Sequence, residues 1–413
     1  MQSLSLAGAV ALLAAVATPA AAKPDAKLLA AATAARPEQL KLLETIVNID
    51  SGTGDVAGGT KVGAILIEQL KALGATVRTV PAEIPGLPDN IVATVTGTGK
   101  TRILMIGHLD TVFEPGTAAR WPYRVEGDRA HGPGVGDEKG GVVQGITALK
   151  LLKQLAFRDF AKITILIESS EERGSPGTRK LIASLLADHD VELNLEPGDA
   201  PDKVTVWRKG STVLTIDVTG KAAHAGVAPQ DGRNAAVELL HQLGDLDAFP
   251  HTGDGLTVNL TMMQAGKRNN IIPDHASATF SVRNRVPAQI EEVVARLEKN
   301  AQTVAVPGTT ATIKREAAYP PLATNAATDA LASRATAIYA DLGRKLGTGG
   351  NGGASQSALA AAAGLPALDG LGPAGGNFHS DGEYIDLTTV TPRLYLLTAL
   401  IMQLGKQGAP PRY

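Results

Sequence analysis

The 413-residue sequence predicts an α/β fold: a discontinuous catalytic domain with a mixed, mostly parallel sheet flanked by helices, plus an inserted ferredoxin-like α+β sandwich. Three observations predict it. The length exceeds that of one typical domain, so two cores are expected. Apolar strand runs alternate with helical patterns over residues 23–205 and again over 315–413, as in a parallel sheet covered on both faces. Between 206 and 314 the order changes to β-α-β-β-α-β, that of a ferredoxin-like sandwich.

Taken in order, residues 1–22 are almost purely apolar and small, and Ala20-Ala21-Ala22 before Lys23-Pro24 matches a cleavable secretory signal. No Lys or Arg precedes the stretch, while Pro19 and the small-residue end argue against a membrane-spanning helix. A periplasmic or secreted location follows as an expectation, with no membrane contact after signal removal. Residues 38–48 and 61–73 read as helices. The apolar run from Ile103 to Ile106 reads as a strand emerging into His108-Leu109-Asp110, and a glycine-rich turn with Asp137 precedes a helix that carries Val142, Val143, Ile146, Leu149 and Leu152 on one face. Strands 163–167 and 191–195 run into Glu171-Glu172 and Glu196-Pro197.

Within the insertion, strands are expected at 211–219, 256–264, 275–284 and 309–314, with helices at 234–246 and 289–304. The glycine run 347–353 lacks the Lys-Ser/Thr of a phosphate loop. Residues 358–363 read as helix, and a last helix carries Leu394, Leu397, Leu400, Ile401 and Leu404 on one face.

A formal charge of −2 and a pI near 6.5 give no reason to invoke nucleic acid or an anionic membrane, which leaves small molecules as partners. The chain has no cysteine, so thiolate metal sites, disulfides and a cysteine nucleophile are excluded, and any metal must be held by His and carboxylate.

Such residues recur at strand ends and in tight loops: His108, Asp137, Glu172, Glu196 and His379, with Glu171 as an additional carboxylate. Each piece has an ordinary alternative. His108-x-Asp110 can be a loop hydrogen bond, Asp137 a helix cap, and Glu171-Glu172 a solvated acidic turn. Together they read as the ligands of two metal ions, with a shared bridge and a general base. Adjacent carboxylates repel, and a cation nearby offsets that cost.

These motifs, with Gly220-Lys221-Ala222-Ala223-His224-Ala225-Gly226, resemble the zinc-dependent exopeptidases of the bacterial glutamate carboxypeptidase type, within the aminoacylase, desuccinylase and peptidase T-like family. The resemblance implies two Zn²⁺ per subunit, with Co²⁺ or Mn²⁺ as substitutes. Asp137 would bridge, His108 and Glu196 would complete one site, and Glu172 and His379 the other. Asp110 would orient His108, Glu171 would act as the base, and His224 would stabilise the oxyanion, reaching across a homodimer. Arg283, Asn270 and Lys203 match positions that hold the departing carboxylate.

Two positions depart from the family pattern. Gln356 stands where a carboxylate is common, and Tyr319 where an arginine is expected. The implied reaction is hydrolysis of a small peptide or N-acyl amino acid with release of a C-terminal, glutamate-type residue. The alternatives are an N-acyl amino acid deacylase (deacetylase or desuccinylase), or a non-catalytic periplasmic binding protein on the same scaffold. Retention of Glu171 argues against the last, since binding alone has no use for a base.

Overall fold

A computed structural model describes residues 23–244 and 248–413; the leader expected at 1–22 lies outside them. The first helix, Ala26–Val47, begins well before the expected residue 38. Asp25 caps it by accepting from the Lys27 and Leu28 amides, the alanine-rich start favours helix, and Pro37 sits within it. Leu28, Ala32, Leu43, Ile46 and Val47 bury one side, and this packing holds the helix together through the amide that Pro37 lacks. The second helix is Val56–Ala72.

The central sheet has six strands in the order Thr76–Val80, Asn90–Thr96, Lys162–Glu168, Arg102–His108, Val191–Asn194, Ala367–Leu368. The last four are mutually parallel and Asn90–Thr96 runs antiparallel to both of its neighbours, so the sheet is mixed as expected. Successive residues face opposite sides. Ile103, Met105, Ile163, Ile165 and Leu193 pack with the helices Ala26–Val47, Lys139–Gln154, Ala326–Asp341 and Leu387–Gln407. Leu104, Ile106 and Leu166 pack with Ile182, Leu185 and Leu186 of helix Arg179–Ala187. Parallel alignment brings the carboxyl ends of the central strands to one edge, where open α/β sheets place their ligands.

A second sheet of seven strands adjoins this body, and in it the glycine run forms the strand Gly347–Asn351, paired parallel with Lys203–Arg208. The insertion is a four-stranded antiparallel sheet in the order Thr257–Ala265, His275–Asn284, Gly210–Thr219, Thr310–Tyr319, covered by helices Ala235–Gln242 and Pro287–Ala301. With one helix between the first two strands and one between the last two, this is the ferredoxin-like arrangement. Leu214, Ile216, Val218, Phe280 and Val282 face those helices and meet Leu239, Ile290, Val293 and Leu297.

The expected helix end at Leu246 falls outside the described residues. The domain limits expected at 205/206 and 314/315 both fall inside strands: Lys203–Arg208 belongs wholly to the seven-stranded sheet and Thr310–Tyr319 wholly to the insertion sheet. Among the described residues no helix is long and apolar enough to cross a membrane.

Phe280 is wholly buried in the insertion core. Phe280→Ala is expected to cost about 3–5 kcal/mol of stability, measured as a lowered urea midpoint.

Candidate metal centre

His108 ends the strand Arg102–His108, which lies between Lys162–Glu168 and Val191–Asn194. Its neighbours deliver Glu171 and Glu172 through the short turn Glu171–Arg173, and Glu196 two residues past a strand end. Asp137 precedes helix Lys139–Gln154, whose N-terminus has no side-chain cap, so its carboxylate is free to face the site. Glycines permit this. A Cβ on Gly141 would meet the Leu195 carbonyl oxygen at 1.8 Å, so only glycine lets the helix start beside the Glu196 loop. His379 adopts a left-handed conformation (φ 62°) in the loop between Ala374–Gly376 and Tyr384–Asp386.

Two trios result: His108, Asp137 and Glu196, and Asp137, Glu172 and His379, each with ligand atoms within 4.8 Å of one another. Asp137 is common to both. Its Oδ1 lies 3.2 Å from His108 Nε2 and its Oδ2 3.1 Å from His379 Nε2, while Glu172 Oε2 lies 3.3 Å from His379 Nε2. The buried Nε2 of His108 makes no hydrogen bond with a described residue although the carboxylates of Asp137, Glu138 and Glu196 face it at 3.2, 3.3 and 3.7 Å. An unpartnered ring nitrogen among carboxylate oxygens fits a cation, and an all-N/O donor set suits Zn²⁺, Co²⁺ or Mn²⁺.

The electrostatics agree with that fit. Burial, and then the Asp137 charge, push the Glu172 carboxyl up to about 7. Burial likewise holds Glu171 well above the usual carboxylate range.

A family model described as peptidase family M20/M25/M40 matches residues 104–403. The chain belongs to that family. It is 37% identical over 388 residues to carboxypeptidase G2 of Pseudomonas sp. (strain RS-16), covering 93% of this chain and 94% of that one. A succinyl-diaminopimelate desuccinylase of Methylobacterium sp. (strain 4-46) is 31% identical over 270 residues, 60% of this chain and 66% of its own. Among solved structures, a tripeptidase from Staphylococcus aureus superposes with a TM-score of 0.76 at 23% identity (90% and 99% of the two chains), and an M20 metallo-carboxypeptidase from Sulfolobus solfataricus with 0.72 at 17% (89% and 99%). These two support the fold. Family membership makes the protein a metal-dependent carboxypeptidase or amidohydrolase.

Around the trios this M20 chain uses residues that carry no motif. Arg208 Nη2 donates to Glu196 at 3.2 Å and forks onto the buried Asp369. Glu383 accepts from the Gly136 and Asp137 amides and so fixes the Asp137 turn. Gln356, buried, donates to Glu168 and accepts from Asn194, each at 2.8–2.9 Å. Burial raises Glu168 to about 7, so a carboxylate at 356 would add repulsion, and the neutral amide explains that departure.

Asp110 faces His108 with both its carbonyl and its carboxylate. His108 Nδ1 meets the Asp110 backbone carbonyl at 2.9 Å, while the carboxylate stands 3.5 Å off and accepts from Thr53 Oγ1 and the Glu171 and Glu172 amides. The Asp110 carbonyl thus makes the closer contact with the ring, while its carboxylate faces the same nitrogen and also holds the acidic turn.

Of the substrate residues expected from sequence, Arg283 lines a cavity of about 350 Å³ together with Asp137, Glu171, Glu172, Glu196 and His379; Tyr319 lines it too. The insertion's register explains why. Arg283 pairs with Ser211 and Ser211 with Tyr319, so one row across the sheet's polar face reaches the cavity. Lys203 and Asn270 do not line it: Lys203 pairs with Gly347 at a sheet position, and Asn270 turns beside His224, its carbonyl accepting from Ala225. His224 is exposed, its Nδ1 accepts from the Gly226 and Val227 amides, and it also lies outside this cavity within one chain.

Glu171→Gln is expected to retain bound metal while turnover falls roughly 10²–10⁴-fold. Glu172→Gln is expected to lose one ion. Metal content by mass spectrometry beside steady-state rates separates the two, and normal turnover in the Glu171 variant would remove the base.

Proposed function

We propose that the protein is a two-zinc carboxypeptidase that releases a C-terminal amino acid, glutamate first among the candidates, from small peptides or N-acyl amino acids. The observation that carries this reading is Arg283. Its guanidinium is half-buried, makes no salt bridge with a described residue, and lines the same cavity as Asp137, Glu172, Glu196, His379 and Glu171. Burial lowers its pKa and Glu171 nearby offsets part of that shift. A half-buried guanidinium without an ion-pair partner among the described residues, set in an acid-lined cavity, suits the free α-carboxylate of the departing residue.

When bound, the two cations supply Lewis acidity toward the scissile carbonyl and toward water. Arg283 anchors the substrate so that the amide lies against Glu171. The Glu171 carboxylate takes the proton of the attacking water and passes it to the departing nitrogen, and its raised proton affinity suits a group that must accept and then release a proton. Deacylation of N-acyl amino acids is the second reading, favoured by the likeness to a desuccinylase.

The reading includes export, supported by the apolar leader pattern and the absence of cysteine. It also includes a homodimer formed through the insertion. Thr257–Ala265 is an edge strand with Leu260, Met262 and Met263 exposed, a surface suited to pairing with a second copy. Pairing there would bring His224 and Asn270, unused in their own chain, toward a partner's cavity.

Wild type is expected to cleave an N-acyl glutamate far faster than its α-amide, and Arg283→Ala to erase most of that difference, a loss on the order of 2–5 kcal/mol. Equal rates on acid and amide would sink the carboxypeptidase reading in favour of a deacylase. Light scattering is expected to show a dimer whose His224→Ala variant turns over slowly; a fully active monomer would refute the cross-subunit role.

A further inference from the structure

Behind Glu196 lies a buried charge cluster that the hydrolytic reading leaves unused. Arg208 ends the strand Lys203–Arg208, just before the insertion begins at Gly210. Its Nη2 donates to Glu196 Oε2 at 3.2 Å, while Nε and Nη2 fork onto Asp369 at 2.7 and 2.8 Å. Nη1 reaches Asn351 Oδ1 at 3.4 Å. Asp369 follows the strand Ala367–Leu368, the parallel neighbour of the strand that delivers Glu196, and it also accepts from Ser355 and Ser357 at 2.5 Å each. All three charged side chains are less than a tenth exposed. The other oxygen of Glu196, Oε1, faces His108 Nε2 and so belongs to the trio.

The charges here set up a competition. A guanidinium buried beside Glu196 is a rival to any cation for the same carboxylate, and a buried charge without a partner is costly. Asp369 changes that balance. Paired with it in fork geometry, Arg208 forms a neutral unit that still offers one N–H to Glu196. The geometry also divides the work on Glu196: Arg208 holds one oxygen, and the second is left toward His108.

We propose that Arg208 is a positioning residue for Glu196 and that Asp369 cancels the Arg208 charge, so that Glu196 keeps its own charge for the cation of the His108 trio. The two single substitutions then weaken that ion for different reasons. Arg208→Gln leaves Glu196 free to turn. Asp369→Asn leaves a bare guanidinium that draws Glu196 away from the cation and repels the cation itself. Removing both restores neutrality and loses only the orientation.

This inference rests on reading the trio as a cation site, and the test separates the two. Metal-depleted wild type, Arg208→Gln, Asp369→Asn and the double variant are titrated with Zn²⁺ against a chromophoric chelator. Wild type is expected to bind two ions, and a wild type that binds none would remove the cation site itself. Each single variant is expected to bind one ion roughly 10–100-fold more weakly, Asp369→Asn the more affected. The double variant is expected to bind it more tightly than Asp369→Asn alone. Wild-type affinity in Asp369→Asn, or a double variant no tighter than that single, overturns the proposal. Should Asp369→Asn fail to fold, Arg208→Lys keeps the charge without the fork; unchanged affinity there overturns it equally.

Discussion

Crowding of carboxylates is the constraint on which the rest of this structure depends. Asp137, Glu171, Glu172 and Glu196 converge on one cavity, with Glu138 and Glu168 buried close behind. Two like charges about 4 Å apart repel by roughly 4 kcal/mol at an effective dielectric near 20. The surroundings read as responses to that repulsion. His108 and His379 face the carboxylates, and backbone amides are spent on Asp110 and Glu383. Gln356 brings an amide where a further acid would face Glu168, and Arg208 enters already paired with Asp369.

Much of this was legible because the chain delivers its acids at predictable places. Apolar runs ending in His108, Glu171-Glu172 and Glu196 are strands in the structure, and parallel pairing puts their ends on one edge. What escaped had no local pattern. Arg208 and Asp369 are single residues 161 positions apart that meet only because two sheets abut. The His108-x-Asp110 spacing brings both the carbonyl and the carboxylate of Asp110 to the ring, and only the structure shows that the carbonyl makes the closer contact. The first helix starts at Ala26, not at residue 38, since packing of its buried side accommodates Pro37 within it.

The substrate residues show where a family pattern outruns one chain. Arg283 and Tyr319 reach the cavity because they share a row with Ser211 on the polar face of the insertion sheet. Alternation alone separates that face from the one holding Leu214 and Phe280. Lys203 and Asn270 belong to neither the row nor the cavity. The phenol of Tyr319 is tied to Ser175 and lies beneath the Arg179 guanidinium, 4.7 Å from the ring centre, so the departure from arginine is accommodated by a local network.

The candidate ligands come from five separate stretches of chain, from His108 to His379, and lie on both sides of the insertion in sequence. An unfolded chain could not gather them, so a cation bound there would favour the folded state alone and raise its stability by RT ln(1 + [M]/Kd). Because Asp137 belongs to both trios, departure of one ion would alter the charge seen by the other. His379 is half-exposed whereas His108 is wholly buried, so the outer trio is the one in contact with solvent. The durability of the molecule is then partly a property of the medium around it: where free metal is scarce, loss of catalysis and loss of structure would begin at the same residue.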